Sequence, residues 1–598
     1  MSGENEEIFR EGKCENMRDL FRIFEVLPKE QHFQCVGMLV AMFFGAALEA
    51  VGIGAVLPLI SILGNPEFLC QYPRVAEIAY GLGLDSHSDI IMASAVLITG
   101  LYFLKNLYIV WESRLQIRFS MKNQIYYAKA LLAEYLMKPY LFHVNNNTAT
   151  LIRNVNSGPQ TVFANILVSV LQLLTEIVTA LTIWGMLVML DPFIAIVVAG
   201  VLFVLLVGIL RVFRRGIVSQ GIIQNRYAVQ YGKWLHQCLG AIKETKVMHK
   251  EGVFLEAFGK AYAEYGEAQG QFAFLNQVPR SIIEFLVLSG MMSLIIVKVL
   301  FGESPESIVA VLGVLALAAF RLMPSAYRIV SYVNNIKFQM PLFNELKQEL
   351  EDIRQRRNRH ELIPIEDAPD KMPFTEEIAV NHLGFRFSEE TKEVLQDVSF
   401  KIHKGAYIGI IGSSGAGKTT FVDILLGLFS PSKGSICVDG CDIQTDIRGW
   451  QENLAYVPQS IYLIDATIKE NIALGEIPEK IDYEKVEKVL RMAELYDFVQ
   501  ELPDGVDTIV GERGVKLSGG QRQRIGIARA LYQEPEVLIL DEATSALDNA
   551  TEKSITDAVL KMKGFMTIIS IAHRLSTLRD CDFKVAFEQG TATIVQES

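Results

Sequence analysis

Six apolar segments in the first 340 residues constrain this chain more than any other feature. They lie at roughly 33–63, 89–111, 162–190, 192–213, 274–301 and 307–333. Most reach the ~20 residues that a helix needs to cross a hydrocarbon core of ~30 Å. The connections between them alternate sharply in length. The turns after the third and fifth segments are minimal, around Asp191-Pro192 and around Gly302-Glu303-Ser304-Pro305. The second and fourth segments instead run on into charged stretches near 112–161 and 214–273, with few residues that would break a helix. Those stretches carry most of the cations, among them Arg114, Arg118, Lys122, Lys129, Arg214, Arg215, Lys233, Lys243 and Lys246. The opposite loops have almost none, Arg74 being the exception. The positive-inside rule then places both excursions and both termini in the cytoplasm. Asn146-Asn147-Thr148 fits a glycosylation sequon, which on that topology is cytoplasmic and inert.

Composition fits a chain with one membrane part and one aqueous part. At 598 residues it is too long for one domain. Half the residues are apolar, and only 21% are charged. The net charge of −12 argues against nucleic acid as a partner, because phosphates call for a basic surface. Seven cysteines are scattered; the nearest two, Cys437 and Cys441, have no second pair to complete a zinc site. They read as free thiols in a reducing compartment. The first 30 residues are polar and mixed in charge, so no cleavable signal peptide is expected. Between 343 and 377 the chain turns charged and Pro-containing, as at a helix end followed by a linker. Strand-like and helical runs then alternate in the manner of an α/β domain. The expected organisation is an α-helical membrane domain of six transmembrane helices over 1–340, a linker over 341–377 and an α/β P-loop nucleotide-binding domain over 378–598.

The strand-like run AYIGIIG leads into Gly412-Ser413-Ser414-Gly415-Ala416-Gly417-Lys418-Thr419-Thr420, a Walker A loop opening a helix. Its glycines let backbone N–H groups wrap phosphates, and the helix N-terminus adds a favourable dipole. Lys418 is expected to reach the β- and γ-phosphates of ATP, and the Thr419 hydroxyl to ligate Mg2+. The run VLILDEATSALD supplies a Walker B strand. Asp541 at its end is expected to hold Mg2+ through water, and Glu542 to polarise the attacking water.

Between these two motifs lies Leu517-Ser518-Gly519-Gly520-Gln521-Arg522-Gln523-Arg524. This run resembles the signature of the ABC transporter ATPase family. The resemblance implies that Gln459, in AYVPQS, is the Q-loop residue that senses Mg2+ and touches the membrane domain. It implies that His573, in IAHRLST, is the switch histidine on the γ-phosphate, and that Asp548 belongs to the D-loop. Glu512-Arg513-Gly514 matches the X-loop of exporters. Phe387, in GFRFSEE, occupies the position that stacks on adenine, where the family more often has Tyr. In that family the signature of one subunit closes over ATP held by the other. Ser518, with Gly519, Gly520 and Gln521, would then complete the γ-phosphate site in trans, and the implied unit is a homodimer with two composite sites. Six helices ahead of one cassette are similar to the exporter type. That likeness implies outward transport and coupling helices near Pro139–Asn146 and Leu239–Lys246.

Ionisable residues within the apolar segments bear on cargo, because charge in lipid is expensive. Lys105 lies in the second segment, Arg280 in the fifth, and Arg321 and Arg328 in the sixth. The last two are seven residues apart and share a helix face. Glu49 and Glu284 are also embedded. An Arg280–Glu284 pair within one helix, or snorkelling of these side chains to the membrane surface, would account for them structurally. A cavity lined by the four cations would instead suit a phosphate or diphosphate. The runs AAFRLMPSAYRIVSY and NQVPRSIIEF are similar to the lipid-linked oligosaccharide flippases of bacterial N-linked protein glycosylation, and PRVAEIAYGLG fits the short external helix of such flippases. That likeness implies a polyprenyl-diphosphate-linked oligosaccharide moved from the cytoplasmic to the outer leaflet of the cell membrane. Lys105, Arg280, Arg321 and Arg328 would face its head group, Lys105 standing where an Arg is expected. The alternative is a broad-specificity lipid or multidrug exporter, in which the arginines are structural.

Overall fold

The computed structural model describes residues 23–64, 81, 86–190, 192–301, 305–359, 369–388, 390, 392–542, 549–572, 578 and 580–595. The chain divides into two compact units. The first comprises Met1–Lys138 and Asn145–Pro364, the second Pro139–Val144 and Ile365–Ser598.

Where the sequence runs on without breakers, the helices do too. The helices are α1 (Ile23–Val26), α2 (Lys29–Gly64), α3 (His87–Met137), α4 (Tyr140–Asn145), α5 (Thr148–Pro159), α6 (Val168–Leu190), α7 (Pro192–Gly240), α8 (Ile242–Val247), α9 (Glu251–Leu300) and α10 (Pro305–Asn358). The α3, α7 and α9 helices have 51, 49 and 50 residues, roughly 75 Å each at 1.5 Å per residue. Each therefore joins an apolar segment and its polar excursion in one rod. Among the described residues, five helical spans are long and apolar enough to cross a membrane. A π-helical segment, Gln160–Leu167, links α5 to α6. It displaces carbonyls from the regular ladder, and the Ser120 hydroxyl of α3 donates to the Phe163 carbonyl there.

The α10 helix continues to Asn358, through half of the stretch read from sequence as linker. The run ELKQELEDIRQRR lacks breakers, and Lys347 pairs with Glu351 one turn on at 3.4 Å. Its end is tied to the start of the described chain. The Lys29 backbone N–H donates to Asn358 Oδ1 at 3.2 Å, Lys347 faces Glu25 at 3.5 Å, and the buried Tyr127 hydroxyl of α3 donates to the Val26 carbonyl.

The second unit holds two sheets. An antiparallel sheet has the order β2-β1-β4-β5, with β1 at Glu377–Phe385, β2 at Leu395–His403, β4 at Lys433–Val438 and β5 at Cys441–Asp442. The other has the order β10-β9-β3-β8-β7-β6. In it β3 (Tyr407–Gly412), β8 (Thr567–Ile571), β7 (Val537–Asp541) and β6 (Leu454–Val457) run parallel. The remaining pair, β9 (Phe583–Glu588) and β10 (Thr591–Val595), is antiparallel. Successive residues of β7 alternate between two cores: Leu538 and Leu540 enter one, Val537 and Ile539 the other. A strand buried on both faces has to be apolar throughout, and this is why VLIL reads as an unbroken run. The helices used below are α11 (Lys418–Leu425) and α12 (Gly519–Tyr532).

The segment at 139–144 belongs to this second unit. Leu141 packs against its core, and the Tyr140 and Phe429 rings lie 5.7 Å apart. The α4 helix falls within the first stretch expected as a coupling helix, and α8 overlaps the second, ending one residue past it. Asn147, the middle residue of the sequon, caps α5 by accepting from the Ala149 N–H at 2.9 Å.

Candidate functional site

Four parallel strands end in one row, and the chemistry sits just past their carboxyl ends. Ile410, Ile571 and Asp541 are cross-strand neighbours, and Val457 pairs with Leu540 one step behind. Just beyond this row lie Gly412 at the end of β3, Glu542 directly after β7 and Gln459 two residues past β6. Crevices at the carboxyl ends of such sheets are where ligands bind.

The Walker A loop leaves β3 through Gly412 and enters α11 at Lys418. Gly417 has φ of 104°, and a Cβ there would meet Leu395 Cδ2 at 2.7 Å and the Val394 carbonyl oxygen at 3.2 Å, so only glycine fits. The buried Lys418 ammonium donates to the Gly412 and Ser413 carbonyls at 2.8 and 3.0 Å. A cation is thus held inside the loop, beside the unpaired N–H groups of the first helical turn that includes Thr419 and Thr420. Ser414, Gly415 and Ala416 complete the turn, with Gly415 at φ of 79°.

At the end of β7, Asp541 Oδ2 accepts from the Tyr456 hydroxyl at 3.1 Å. Burial pushes the Asp541 carboxyl up, with the Tyr456 hydrogen bond and Lys418 opposing and Glu542 adding to the rise. Asp423, on α11, is pushed up to about 6 by burial and then by Asp541. Glu542 sits at φ of 48°, a left-handed conformation that costs a non-glycine residue about 1 kcal/mol. Its N–H donates to the Ile571 carbonyl at 3.0 Å, and its Oε2 accepts from Gln459 Nε2 at 2.6 Å. Sequence reasoning named Gln459, Asp541 and Glu542, and the structure joins two of them directly. It missed Tyr456 and Asp423. Tyr456 was findable, since it lies three residues before Gln459 on the strand neighbouring Walker B.

The signature residues form a rigid helix start. Ser518 Oγ accepts from the Gln521 N–H at 3.3 Å, and Gln521 Oε1 accepts from the Ser518 N–H at 2.8 Å. This is a reciprocal capping box. Arg522 donates to the Leu517 carbonyl at 2.8 Å. Gly519 and Gly520 open α12. Among the described residues, no hydrogen bond or ion pair joins Ser518–Gln521 to the Walker A loop. Phe387 is 43% exposed, with its ring edge-on to Phe385 and Phe429 at 5.1 and 5.7 Å. His573 and Asp548 lie outside the described residues.

Residues 395–545, which run from β2 through Walker B, match the family model described as ABC transporter. This part of the chain is an ABC transporter ATPase domain. Two curated relatives illustrate the similarity. The heterocyst differentiation ATP-binding protein HepA of Nostoc sp. is 44% identical over 198 residues, 33% of this chain and 32% of that protein. The ATP-dependent lipid A-core flippase of Burkholderia pseudomallei is 43% identical over 217 residues, 36% of each. The chain thus spans about a third of the length of the curated relatives it matches. A solved bacterial Atm1-family ABC exporter with ATP bound is similar over 94% of both chains, with a TM-score of 0.68 and 23% identity. That likeness shows the fold, which is the ABC exporter fold: a helical membrane-type region followed by the α/β cassette.

In the helical unit of this exporter fold, the cations named from sequence have acidic neighbours. Lys105 on α3 is buried and paired with Glu49 on α2 at 2.8 Å. Arg328 on α10 is paired with Glu176 on α6 at 2.5 Å. Both pairs line a cavity of about 500 Å³ between α2, α3, α6 and α10. Arg280 does not line it; it is well exposed and faces Glu284 at 3.8 Å within α9. The Arg321 side chain lies outside the described residues, as does most of PRVAEIAYGLG. The expected imbalance of four cations over two anions needs correction. Glu112 and Glu176 were overlooked, although Glu176 stands in the third apolar segment and was visible there. Among the described residues, Cys35, Cys238, Cys437, Cys441 and Cys581 are free thiols.

Proposed function

We propose that this chain is one half of an ATP-driven ABC exporter that moves an amphipathic, lipid-type molecule out of the cytoplasmic leaflet. The observation carrying this reading is the convergence of Walker A, Walker B and Gln459 at the carboxyl ends of parallel strands of one sheet, in a chain whose other unit is a bundle of membrane-length helices. The proposed boundaries are 1–340 for the membrane domain, 341–377 for the linker and 378–598 for the cassette, with the cassette in the cytoplasm.

In the proposed site the loop from Gly412 to Thr420 binds the phosphates of ATP, and Lys418 turns its ammonium from the loop carbonyls to the β- and γ-oxygens. The residues present fit Mg2+: a buried carboxylate (Asp541), the Thr419 hydroxyl and the Gln459 amide form an oxygen-donor set of the kind it takes. When bound there, Mg2+ neutralises charge on the phosphate oxygens. Glu542 orients the attacking water and accepts its proton. The Gln459 amide, at 2.6 Å, fixes that carboxylate. His573 contacts the γ-phosphate, Phe387 stacks on adenine, and Asp548 lies at the subunit boundary. Ser518, Gly519, Gly520 and Gln521 present the start of α12 to the γ-phosphate held by a second copy, so the working unit is a homodimer.

For the cargo, the similarity to proteins named lipid A-core flippases supports a lipid-type class. The narrower candidate, a polyprenyl-diphosphate-linked oligosaccharide, asks Lys105, Arg280, Arg321 and Arg328 to hold phosphates. Lys105 and Arg328 would first have to exchange Glu49 and Glu176 for them. Proteoliposomes carrying a fluorescent amphipath or the labelled lipid-diphosphate-sugar test the reading. Wild type should remove the probe from one leaflet only with ATP. Glu542→Gln should retain ATP binding but lose turnover by at least about a hundredfold, the lower end of what a positioned base contributes. Wild-type hydrolysis in Glu542→Gln would reject the catalytic assignment, and ATP-independent movement would reject the exporter.

A further inference from the structure

The cavity in the helical unit is built around a third carboxylate that neither ion pair uses. Lys105 and Arg328 are each engaged by Glu49 and Glu176. Glu112 lines the same cavity and is 4% exposed. The hydrogen bonds described for it come from neutral groups: Gln116 Nε2 at 3.0 Å and the Thr175 hydroxyl at 3.5 Å. A buried carboxylate served only by neutral donors is costly until a cation joins it.

The helix opposite is shaped for this arrangement. A Cβ at Gly45 would lie 2.5 Å from Glu112 Oε2, so α2 leaves a niche where the carboxylate sits. Seven residues further along α2, a Cβ at Gly52 would lie 3.5 Å from Lys105 Cδ, and Lys105 is seven residues before Glu112 on α3. Two helices thus meet through glycines placed against charged side chains. The carboxylate is confined by the backbone of α2 on one side and by Gln116 and Thr175 on the other. Its orientation is set before any ligand arrives.

We propose that this cavity binds the head group of an amphipathic cation, an ammonium or guanidinium, with Glu112 as its carboxylate partner. The inference rests on the exporter reading above and names the class of cargo. The described lining charges are three carboxylates and two cations. A ligand cation completes a charge-assisted contact at Glu112, whereas an anion has to displace Glu49 or Glu176. A volume of about 500 Å³ takes a head group and leaves an acyl chain to the lipid.

The full chain in detergent, with a dansyl-labelled long-chain alkylammonium and the alkyl phosphate of equal chain length, tests this by fluorescence titration. Wild type should bind the ammonium about tenfold or more tighter than the phosphate. Glu112→Gln should lose about thirtyfold or more for the ammonium and none for the phosphate, in line with truncating one partner of a buried charge pair. Glu112→Asp should restore part of the loss. Gly45→Ala, which pushes on the carboxylate from the opposite helix, should weaken the ammonium alone, and it answers the question if Glu112→Gln lowers the thermal unfolding midpoint. Tighter binding of the phosphate by wild type, or ammonium binding indifferent to both substitutions, would overturn the proposal. The exporter reading fails separately, in proteoliposomes carrying the same probe: ammonium bound through Glu112 but never moved on ATP addition keeps the site and rejects transport. ATP-driven movement of the probe without Glu112-dependent binding rejects the site and keeps transport.

Discussion

Asp541 ends a strand, and nothing in β7 itself fixes its carboxylate. The Tyr456 hydroxyl does so from the neighbouring strand at 3.1 Å. Outer partners of this kind are typically worth ten- to a hundredfold in metal affinity. Tyr456→Phe should therefore raise the Mg2+ concentration that half-saturates ATPase by about tenfold, with divalent-free ATP binding unchanged; Mn2+ binding followed by paramagnetic resonance reads the same change without turnover. Asp439, in the turn after β4, offers a pH-dependent case. Burial pushes its carboxyl up, but hydrogen bonds from the N–H groups of Glu377, Thr375 and Glu376 and from the Thr375 hydroxyl outweigh it, and bring the group down to about 2. A depressed carboxylate stabilises above its unfolded value of about 3.9, and that stability is lost as pH falls toward about 2. Asp439→Asn should thus be less stable than wild type at pH 7, with the gap closing between about pH 4 and pH 2 in thermal unfolding scans. Lys418, Asp541, Glu542 and Ser518 were legible because each belongs to a motif of fixed spacing. Tyr456, Asp423 and Asp439 were not, because their partners are set by strand neighbours far off in sequence.

At the scale of elements, periodicity was legible and partners were not. The apolar segments and their charged continuations were visible, but the helices also run through residues that usually break them, Pro279 inside α9 among them. The charged stretch reads from sequence as a helix end followed by a linker, and the helix runs on to Asn358 because Leu342, Phe343, Leu346, Leu350 and Ile353 form a buried stripe beneath the charges. The π-helical segment had no sequence signal, since one extra residue per turn changes no composition. Which helix would answer each intramembrane cation was equally hidden: Lys105 finds Glu49 on α2 and Arg328 finds Glu176 on α6. Glu49→Ala would leave the buried Lys105 ammonium without its carboxylate and should cost about 3 kcal/mol. Replacing both residues by Met should recover most of that loss. A double-mutant cycle on thermal unfolding in detergent measures the coupling, and additive losses would mean that the pair contributes nothing.

At the scale of the molecule, the division into membrane helices and an α/β cassette follows from two patterns that cannot coexist in one domain: runs long enough to cross lipid, and strands short enough for a parallel sheet. The homodimer proposed above turns on what meets the signature. The α12 start is capped and rigid around Ser518, and among the described residues no hydrogen bond or ion pair joins it to the Walker A loop. The most direct measurement is complementation between two inactive chains, Lys418→Ala and Ser518→Arg. Each alone should be nearly inactive as an ATPase. Co-assembled, they should regain hydrolysis, because the mixed dimer has one site with Lys418 from one chain and Ser518 from the other both intact. No activity from a mixture shown to contain the mixed dimer would contradict a composite site built from two copies.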